Sequence, residues 1–279
     1  MTQRNLMKNA IHFTKMHSLG NDFVVINTMK QTLSLTQALI IQLADRHQGI
    51  GFDQLLLIEP STQADFYCRI FNADGSEAEQ CGNGLRCIAR LIHEDKLFPQ
   101  SSFKIETKAG IFPVVIQDYD HMDVLINAPK LQEASLELRL KQIPDKIIVD
   151  ILSLGNPHAI TQVPSIDTID VKRLGSEIST HPHFSHGINV GFMQILNSQH
   201  IRLRTYERGA GETHACGSNA CAAAYIGITH GWLTSPVTVE FRYGKLLIKH
   251  DKIYNHIQMT GPAVRVFEGI CGIQSISLY

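Results

Sequence analysis

The chain contains an internal repeat with a constant offset of 135 residues. Gly20-Asn21 recurs as Gly155-Asn156, and Cys81-Gly82 recurs as Cys216-Gly217. The same offset relates four further pairs: Arg69 with Arg204, Gln54 with Asn189, Asn72 with Glu207, and Glu77 with Glu212. Two copies are too few for a solenoid, so the repeat predicts two similar domains in tandem. We expect the ligand site in a cleft between them, because such interfaces are preferred binding places.

Size and composition agree with this organisation and exclude several classes of protein. The 279 residues indicate about two domains. Apolar residues make up 44% and charged residues 18%, which is typical of a globular protein. The formal charge of −1 predicts no surface for nucleic acid, and no apolar run is long enough to span a bilayer. Residues 1–10 are polar and lack the apolar core of a secretory signal, so we expect a cytoplasmic protein.

The six cysteines fall into two groups. A cytoplasmic chain of this size is not expected to use them as structural disulfides. Four lie in apolar runs and are predicted to be core residues: Cys68, Cys87, Cys221 and Cys271. Cys81 and Cys216 differ, because each is followed by Gly at the predicted start of a helix.

Short apolar runs bounded by Gly, Asn, Asp and Pro predict many strands. Examples are residues 23–26, 55–58, 112–116, 201–204 and 246–248. Helices are predicted at residues 35–47, 83–96 and 218–229, the first of them with Thr36 or Ser34 as its N-cap. The pattern predicts an α+β protein with many strands around few helices in each half.

The two repeat-related cysteines predict a specific chemistry. At a helix N-terminus, free N–H groups and the helix dipole stabilise a thiolate and lower its pKa. The same N–H groups can bind a carboxylate. If two thiols face one carbon from opposite sides, one can remove a proton while the other donates one. This two-base mechanism inverts an amino acid without a cofactor, and no lysine or other feature indicates PLP.

Other interpretations of the cysteines stay open. Zinc would use Cys81 with Cys87, or Cys216 with Cys221, although structural zinc favours shorter CxxC spacings. A disulfide between Cys81 and Cys216 would be an oxidised, inactive form. A Cys–His–Asn hydrolase needs only one cysteine. A purely structural role is the default for either cysteine alone, and the shared offset argues against it for both.

Several long motifs resemble the bacterial diaminopimelate epimerase family, in the family's order from residue 13 to residue 269. They are Lys15-Met16-His17-Ser18-Leu19-Gly20-Asn21-Asp22-Phe23, Gly51-Phe52-Asp53-Gln54, residues 71–86, Gly155-Asn156-Pro157-His158, Gly187-Ile188-Asn189-Val190-Gly191-Phe192, residues 206–222, and Met259-Thr260-Gly261-Pro262-Ala263. The resemblance implies two similar α+β domains, each a mostly antiparallel barrel-like sheet around a central helix. It implies an N-terminal domain at residues 11–125, with residues 262–279 packing back on it, and a C-terminal domain at residues 126–261.

The resemblance also implies an activity. A cofactor-independent isomerase of this family interconverts LL- and meso-2,6-diaminopimelate, in the synthesis of lysine and peptidoglycan precursors. The implied partners are this small molecule and a second copy of the chain, as a homodimer. Two alternatives stay open: a racemase of another amino acid, such as proline or hydroxyproline, and a non-catalytic binding or zinc protein with the same fold.

The resemblance assigns roles to individual residues. Cys81 and Cys216 are the implied acid and base, without a direction for either. The implied substrate-binding residues are Asn21, Gln54, Asn72, Gly82, Asn83, Asn156, Asn189, Glu207, Arg208, Gly217 and Ser218. Glu207 and His158 are expected to orient the amino group or tune the thiols, and no metal ligand is implied. A purely structural role stays open as the alternative for His158 and for the asparagines beside predicted turns, which are Asn21, Asn72 and Asn156. Glu77 and Glu212 are expected to brace loops.

Three positions depart from the family pattern. Ser18 and Asn219 each stand where the family commonly has Gly, and Tyr243-Gly244 replaces a common Gly-Gly turn. Asn tolerates unusual backbone conformations, so the loop at Cys216 is expected to keep its shape. The Tyr243-Gly244 turn is expected to lie far from the motifs that bear the chemistry.

Overall fold

The computed structural model describes residues 10–141 and 146–272. These residues divide into two compact units. Unit 1 comprises residues 10–18, 22–119 and 263–272, and unit 2 comprises residues 19–21, 120–141 and 146–262. The expectations for residues 1–9 and 273–279 lie outside the described residues.

The secondary structure repeats with the sequence. The first series is β1 (Ala10–Ser18), β2 (Asn21–Asn27), α1 (Gln37–Ala44), β3 (Gln54–Glu59), β4 (Phe66–Asn72), β5 (Glu77–Ala78), α2 (Gly82–Glu94), β6 (Ser102–Thr107), β7 (Gly110–Ile116), β8 (Met122–Asn127) and β9 (Lys130–Leu138). The second series is β10 (Ile147–Ser153), β11 (Pro157–Gln162), α3 (Val171–Ser179), β12 (Asn189–Asn197), β13 (His200–Glu207), β14 (Gly211–Thr213), α4 (Gly217–Thr229), β15 (Val237–Phe241), β16 (Gly244–Asp251), β17 (His256–Gly261) and β18 (Val264–Gly272). Helices α2 and α4 are related by the 135-residue offset at both ends, which confirms the predicted duplication.

Strand pairing repeats as well. In unit 1, β2 pairs parallel with β3 and β4 pairs parallel with β6, while β3–β4 and β6–β7 are antiparallel. The same four relations recur in unit 2 as β11–β12, β13–β15, β12–β13 and β15–β16. Strand β18 returns to pair antiparallel with β1. Helix α2 packs on β1, β3, β7 and β18, and α4 packs on strands from β10 to β17, so the predicted α+β fold with central helices is confirmed.

The helix ends follow local capping chemistry. The Thr36 side chain accepts the Leu39 N–H at 3.2 Å, as predicted, but α1 ends at Ala44 rather than at residue 47. Helix α3 was not predicted, because its sequence is polar and contains Gly175. A Cβ on that glycine would lie 2.4 Å from the Tyr206 Cβ, so helix α3 needs Gly there to pack against β13. A contact made by tertiary packing therefore explains the missed helix.

The cysteines outside the helix starts are mostly core residues. Cys68, Cys87 and Cys221 are buried, as predicted, and burial raises the pKa of the Cys68 and Cys87 thiols. Cys271 was expected in the core but is only partly buried, because β18 presents most of its side chains to solvent. None of the six cysteines, all of which lie in the described ranges, is joined in a disulfide. Within the two described ranges, no helix has the length and apolar character needed to cross a membrane.

Candidate active site

Cys81 is the N-cap of α2 in unit 1. Its backbone is extended, with φ −150° and ψ 105°, and its Sγ accepts the Gly84 N–H at 3.4 Å. The thiol is half-buried. A tight turn from Asn72 to Ser76 precedes it, closed by the Asn72 N–H on the Ser76 carbonyl at 2.8 Å. Cys81 therefore lies where an N–H group of the helix can stabilise a thiolate.

Gln54 and Asn72 form a pair at neighbouring strand ends. They are directly opposite in the β3–β4 register, and Gln54 Nε2 donates to Asn72 Oδ1 at 2.9 Å. Asn72 also donates from Nδ2 to Ser76 Oγ at 3.0 Å. It therefore stabilises a turn, which is the structural role that the sequence had left open for it. The Gln54 Oε1 atom is buried without a hydrogen-bond partner among the described residues. An unused acceptor of this kind suits a ligand N–H group.

Asn83 is held by a buried arginine that sequence reasoning did not single out. Arg86 is fully buried, and its Nη2 donates to Asn83 Oδ1 at 2.6 Å and to Ser18 Oγ at 2.8 Å. Ser18 is one of the departures from the family pattern, and here its hydroxyl accepts from a buried charge. Arg86 therefore orients the Asn83 amide at the start of α2.

Replacing Arg86 with Met is expected to lower the free energy of unfolding by about 2 kcal/mol, because two hydrogen bonds from a buried cation are lost. Urea denaturation measures this change. Ser18→Ala removes one of the two acceptors and leaves the buried cation with one partner fewer, so it should also lower the free energy of unfolding. A Met variant as stable as the wild type would contradict the account.

Charged residues fasten the Gly51–Gln54 motif to the start of β2. Asp22 accepts from Lys15 at 2.5 Å and from Arg46 at 2.7 Å, and Arg46 also reaches Asp53 at 2.9 Å. Burial alone would raise the pKa of Asp22, but the hydrogen bonds from Arg46 and Lys15 outweigh it and hold that pKa well below its usual range. The carboxylate therefore stays charged and fixes the motif that ends in Gln54.

Cys216 is the N-cap of α4 in unit 2. Its Sγ lies 3.3 Å from Ser218 Oγ. Burial raises the pKa of the Cys216 thiol well above its ordinary value, Glu207 raises it further, and the hydrogen bond with Ser218 only partly opposes both. The helix start was expected to lower this pKa. Desolvation exceeds the effect of the helix N–H groups, so Cys216 rests as a thiol.

Three predicted residues form a hydrogen-bonded chain that ends at Cys216. Ser218 Oγ, which contacts the thiol, accepts from Asn156 Nδ2 at 3.5 Å. Asn156 Oδ1 lies 3.0 Å from His158 Nε2. Burial lowers the pKa of His158 to about 4, and the neighbouring Asn219 only partly offsets this. His158 is therefore neutral near pH 7 and is connected to the thiol through Asn156 and Ser218.

Asn219 fits its position although the family commonly has Gly there. It is fully buried, and its Nδ2 donates to the Val190 carbonyl at 3.0 Å. Helix α4 still begins at Gly217, directly after Cys216. The expectation that the loop keeps its shape is met, because the Asn219 side chain ties α4 to β12.

Glu207 and Arg208 leave the end of β13 in different directions. Glu207 Oε1 accepts from Thr213 Oγ1 at 2.5 Å and lies close enough to Cys216 to raise the pKa of that thiol. The Arg208 N–H donates to Asn189 Oδ1 at 2.9 Å, and its guanidinium donates to the His186 carbonyl at 2.9 Å. The turn after β13 thus carries a carboxylate and an arginine, and the Asn189 amide accepts from the backbone of that arginine.

Glu77 and Glu212 occupy equivalent positions and make equivalent ion pairs. Arg69 Nε donates to Glu77 Oε1 at 3.1 Å, and Arg204 Nε donates to Glu212 Oε1 at 2.8 Å. Each pair joins the long strand to the short strand that precedes the cysteine. Both glutamates therefore brace the loops, as expected.

The turn at Tyr243-Gly244 is not far from the site motifs, so that prediction is wrong. Gly20 packs against the Tyr243 ring, and the ring also contacts His214, two residues before Cys216. The turn joins β15 to β16 and contacts residues 19 and 20, which belong to the same unit. Tyr243 and Gly20 are more than 200 positions apart, so no local pattern in the sequence predicts their contact.

His183 Nε2 lies 3.2 Å from Glu133 in the exposed loop after α3. Across the described portion of the chain, no group of three or more His, Cys, Asp or Glu residues could hold a metal ion.

Solved structures share this fold at low sequence identity. A hydroxyproline epimerase from Agrobacterium vitis superposes with a TM-score of 0.74 at 14% identity, over 96% of this chain and 94% of that one. A probable proline racemase from Agrobacterium radiobacter gives 0.73 at 15% identity, over 95% and 93%. A PhzF-family phenazine biosynthesis protein from Bacillus anthracis gives 0.72 at 19% identity, over 95% and 99%. The chain thus has the same duplicated α+β fold as these proteins. In this chain, each central helix has a cysteine at its N-cap.

Sequence comparison identifies the family to which the chain belongs. The diaminopimelate epimerase family model matches residues 13–131 and 151–266. The diaminopimelate epimerase of Azoarcus sp. (strain BH72) is 46% identical over 270 residues, covering 93% of this chain and 98% of that protein. The enzyme of Ectopseudomonas mendocina (strain ymp) is 44% identical with the same coverage. The chain belongs to the diaminopimelate epimerase family.

Proposed function

We propose that this chain is an isomerase that interconverts LL- and meso-2,6-diaminopimelate by a two-base thiol mechanism. The observation that carries the proposal is a cysteine at the N-cap of each repeat-related helix. The identity of the substrate is inferred from membership of the family. The reaction places the enzyme in lysine and peptidoglycan precursor synthesis.

The mechanism uses one thiol on each face of the reacting carbon. A thiolate takes the Cα proton, and the opposite thiol donates its own proton to the carbanion, so the configuration inverts. The charge of the thiolate passes to the other sulfur, and nothing is oxidised or reduced. N–H groups at Gly82-Asn83 and Gly217-Ser218 bind the substrate carboxylate and stabilise the charge that develops on it.

The two cysteines differ in their resting state. Cys216 is buried beside Glu207, which favours the protonated thiol. Cys81 is half-buried and accepts an N–H group, which favours a thiolate. We therefore assign Cys81 as the resting base and Cys216 as the resting acid, with the roles exchanged in the reverse reaction.

The polar residues suit a substrate with two amino-acid ends. Glu207 pairs with an ammonium group, and Arg208 binds a carboxylate. Asn21, Asn72, Asn156 and Asn189 add donors and acceptors without net charge, and Gln54 offers its unpaired oxygen. A compact imino acid would leave part of this set unsatisfied, which is costly.

We further propose that the enzyme acts in the cytoplasm as a homodimer and without PLP. Support for the homodimer comes from β18, which exposes the apolar side chains of Val266, Phe267 and Ile270. A second copy covering this strand would remove that apolar surface from water. Support for independence from PLP comes from the thiol pair, which by itself supplies both proton transfers.

Proton exchange at Cα tests the function directly. Reduced protein with LL-diaminopimelate in D2O and no added cofactor is expected to form meso product with deuterium at the inverted carbon. Mass spectrometry and chiral chromatography follow the isotope and the configuration. Folded protein with both thiols free that neither exchanges nor inverts diaminopimelate would overturn the substrate assignment, and proline and hydroxyproline would be tried next.

A further inference from the structure

Tyr243 lies on the backbone of Gly20. A Cβ at residue 20 would be 2.9 Å from Tyr243 Cδ2 and 3.5 Å from His214 Cβ. The His214 and Tyr243 rings meet edge to face, with centroids 4.8 Å apart at 81°. We call these two side chains the aromatic clamp. The clamp fills the space above Gly20, so no larger residue fits there.

The clamped turn has a strained backbone. Leu19 has φ 54° and Gly20 has φ 85°, both in the left-handed region, which costs free energy at Leu19. Leu19 is nonetheless buried, with its side chain packed against Gly244. Tyr243 and Gly244 therefore hold two successive residues, and Asn21 follows directly. A turn of this kind keeps its shape only when its surroundings impose it.

We propose that Tyr243, supported by His214, is a positioning residue for Asn21. The inference rests on the proposed function, in which Asn21 binds substrate. With the ring in place, the turn presents the Asn21 amide in one orientation before substrate arrives. Without the ring, the Asn21 amide must be ordered when substrate binds. The entropy lost in ordering it reduces the net binding free energy, so affinity falls.

The clamp is well suited to this role because it is not part of the core. Tyr243 is 53% exposed, and His214 is also exposed. Loss of the ring should therefore leave stability nearly unchanged. The contact to Gly20 is made by ring carbons rather than by the hydroxyl, so Phe should replace Tyr without loss.

The test separates substrate affinity from turnover. Tyr243→Ala is expected to raise KM for diaminopimelate about five- to tenfold and to leave kcat within about twofold. Tyr243→Phe should keep the wild-type KM. Tyr254→Ala is the matched control, because Tyr254 is 77% exposed in the next turn, between β16 and β17, and its ring stacks on His256. Thermal unfolding checks that all three variants fold.

A double-mutant cycle asks whether Tyr243 acts through Asn21. In an Asn21→Ala background, Tyr243→Ala should have little further effect, because the group it positions is gone. Dissociation constants from calorimetry replace KM where turnover is too slow. An unchanged KM in Tyr243→Ala, or effects that simply multiply in the double variant, would overturn this inference alone. A wild-type protein that does not epimerise diaminopimelate would overturn the proposed function and this inference with it.

Discussion

Replacing Cys81 or Cys216 with Ala is expected to lower kcat for epimerisation by at least about 1,000-fold. In the proposed mechanism each thiol handles the proton on one face of the carbon, so replacing either one leaves that face without its acid or base. Inversion needs both thiols, so either variant should lose it. One thiol still suffices to remove and return a proton on its own face. Each variant should therefore retain slow deuterium exchange with only one of the two epimers, and a different one for each variant.

The residual exchange identifies the face on which each thiol acts. Isotope incorporation into LL- and meso-diaminopimelate is measured separately for the two variants, with retention of configuration. Cys271→Ala is the matched control, because Cys271 is a partly buried thiol at the end of β18 that takes no part in the proposed chemistry. It should epimerise at the wild-type rate. Epimerisation that persists in Cys81→Ala or in Cys216→Ala would disprove the two-base assignment.

The second large effect is a loss of stability in mild acid that comes from His158. Its pKa is 6.5 in a model peptide and about 4 in the fold, because burial disfavours the charged ring. The unfolded chain therefore binds a proton that the folded protein does not, and stability falls as the pH drops from about 6.5 to 4. The depressed pKa corresponds to about 3 kcal/mol over this range. Above pH 6.5 the full contribution is present.

His158→Gln separates this effect from those of other groups. Gln keeps an amide near Asn156 but does not titrate. Urea denaturation between pH 7.5 and pH 4.5 should show a steep loss for the wild type and a shallower one for the variant. Asp22 contributes little in this window, because its carboxyl stays ionised in the folded protein and takes up a proton in the unfolded chain only as the pH falls toward about 3.8. Parallel stability curves for the two proteins would show that His158 is not the group responsible.

The sequence predicted the features that depend on local chemistry and on the repeat. The constant offset located both cysteines, and the Gly after each placed them at helix starts, where the structure has α2 and α4. The Thr36 cap followed from the same kind of local signal. Capping and strand patterns involve residues a few positions apart, so a single sequence contains what is needed to recognise them.

Other features needed contacts between distant residues. The role of Arg86 depends on Ser18, 68 positions away, and the role of Tyr243 depends on Gly20. Helix α3 was missed because Gly175 is explained only by the Tyr206 side chain against it. No local pattern predicts such neighbours, because the packing of helices, strands and turns against one another brings them together.

Cys216 shows most clearly the difference between what the sequence predicts and what only the folded structure determines. Its sequence alone determined that it caps a helix beside N–H groups that favour a thiolate. Only the tertiary structure decided that the thiol is buried next to Glu207, and there desolvation and a nearby negative charge raise its pKa instead. The helix effect acts over one turn and can be predicted from neighbouring residues. Desolvation depends on every segment packed around the sulfur, so it exists only once the chain has folded.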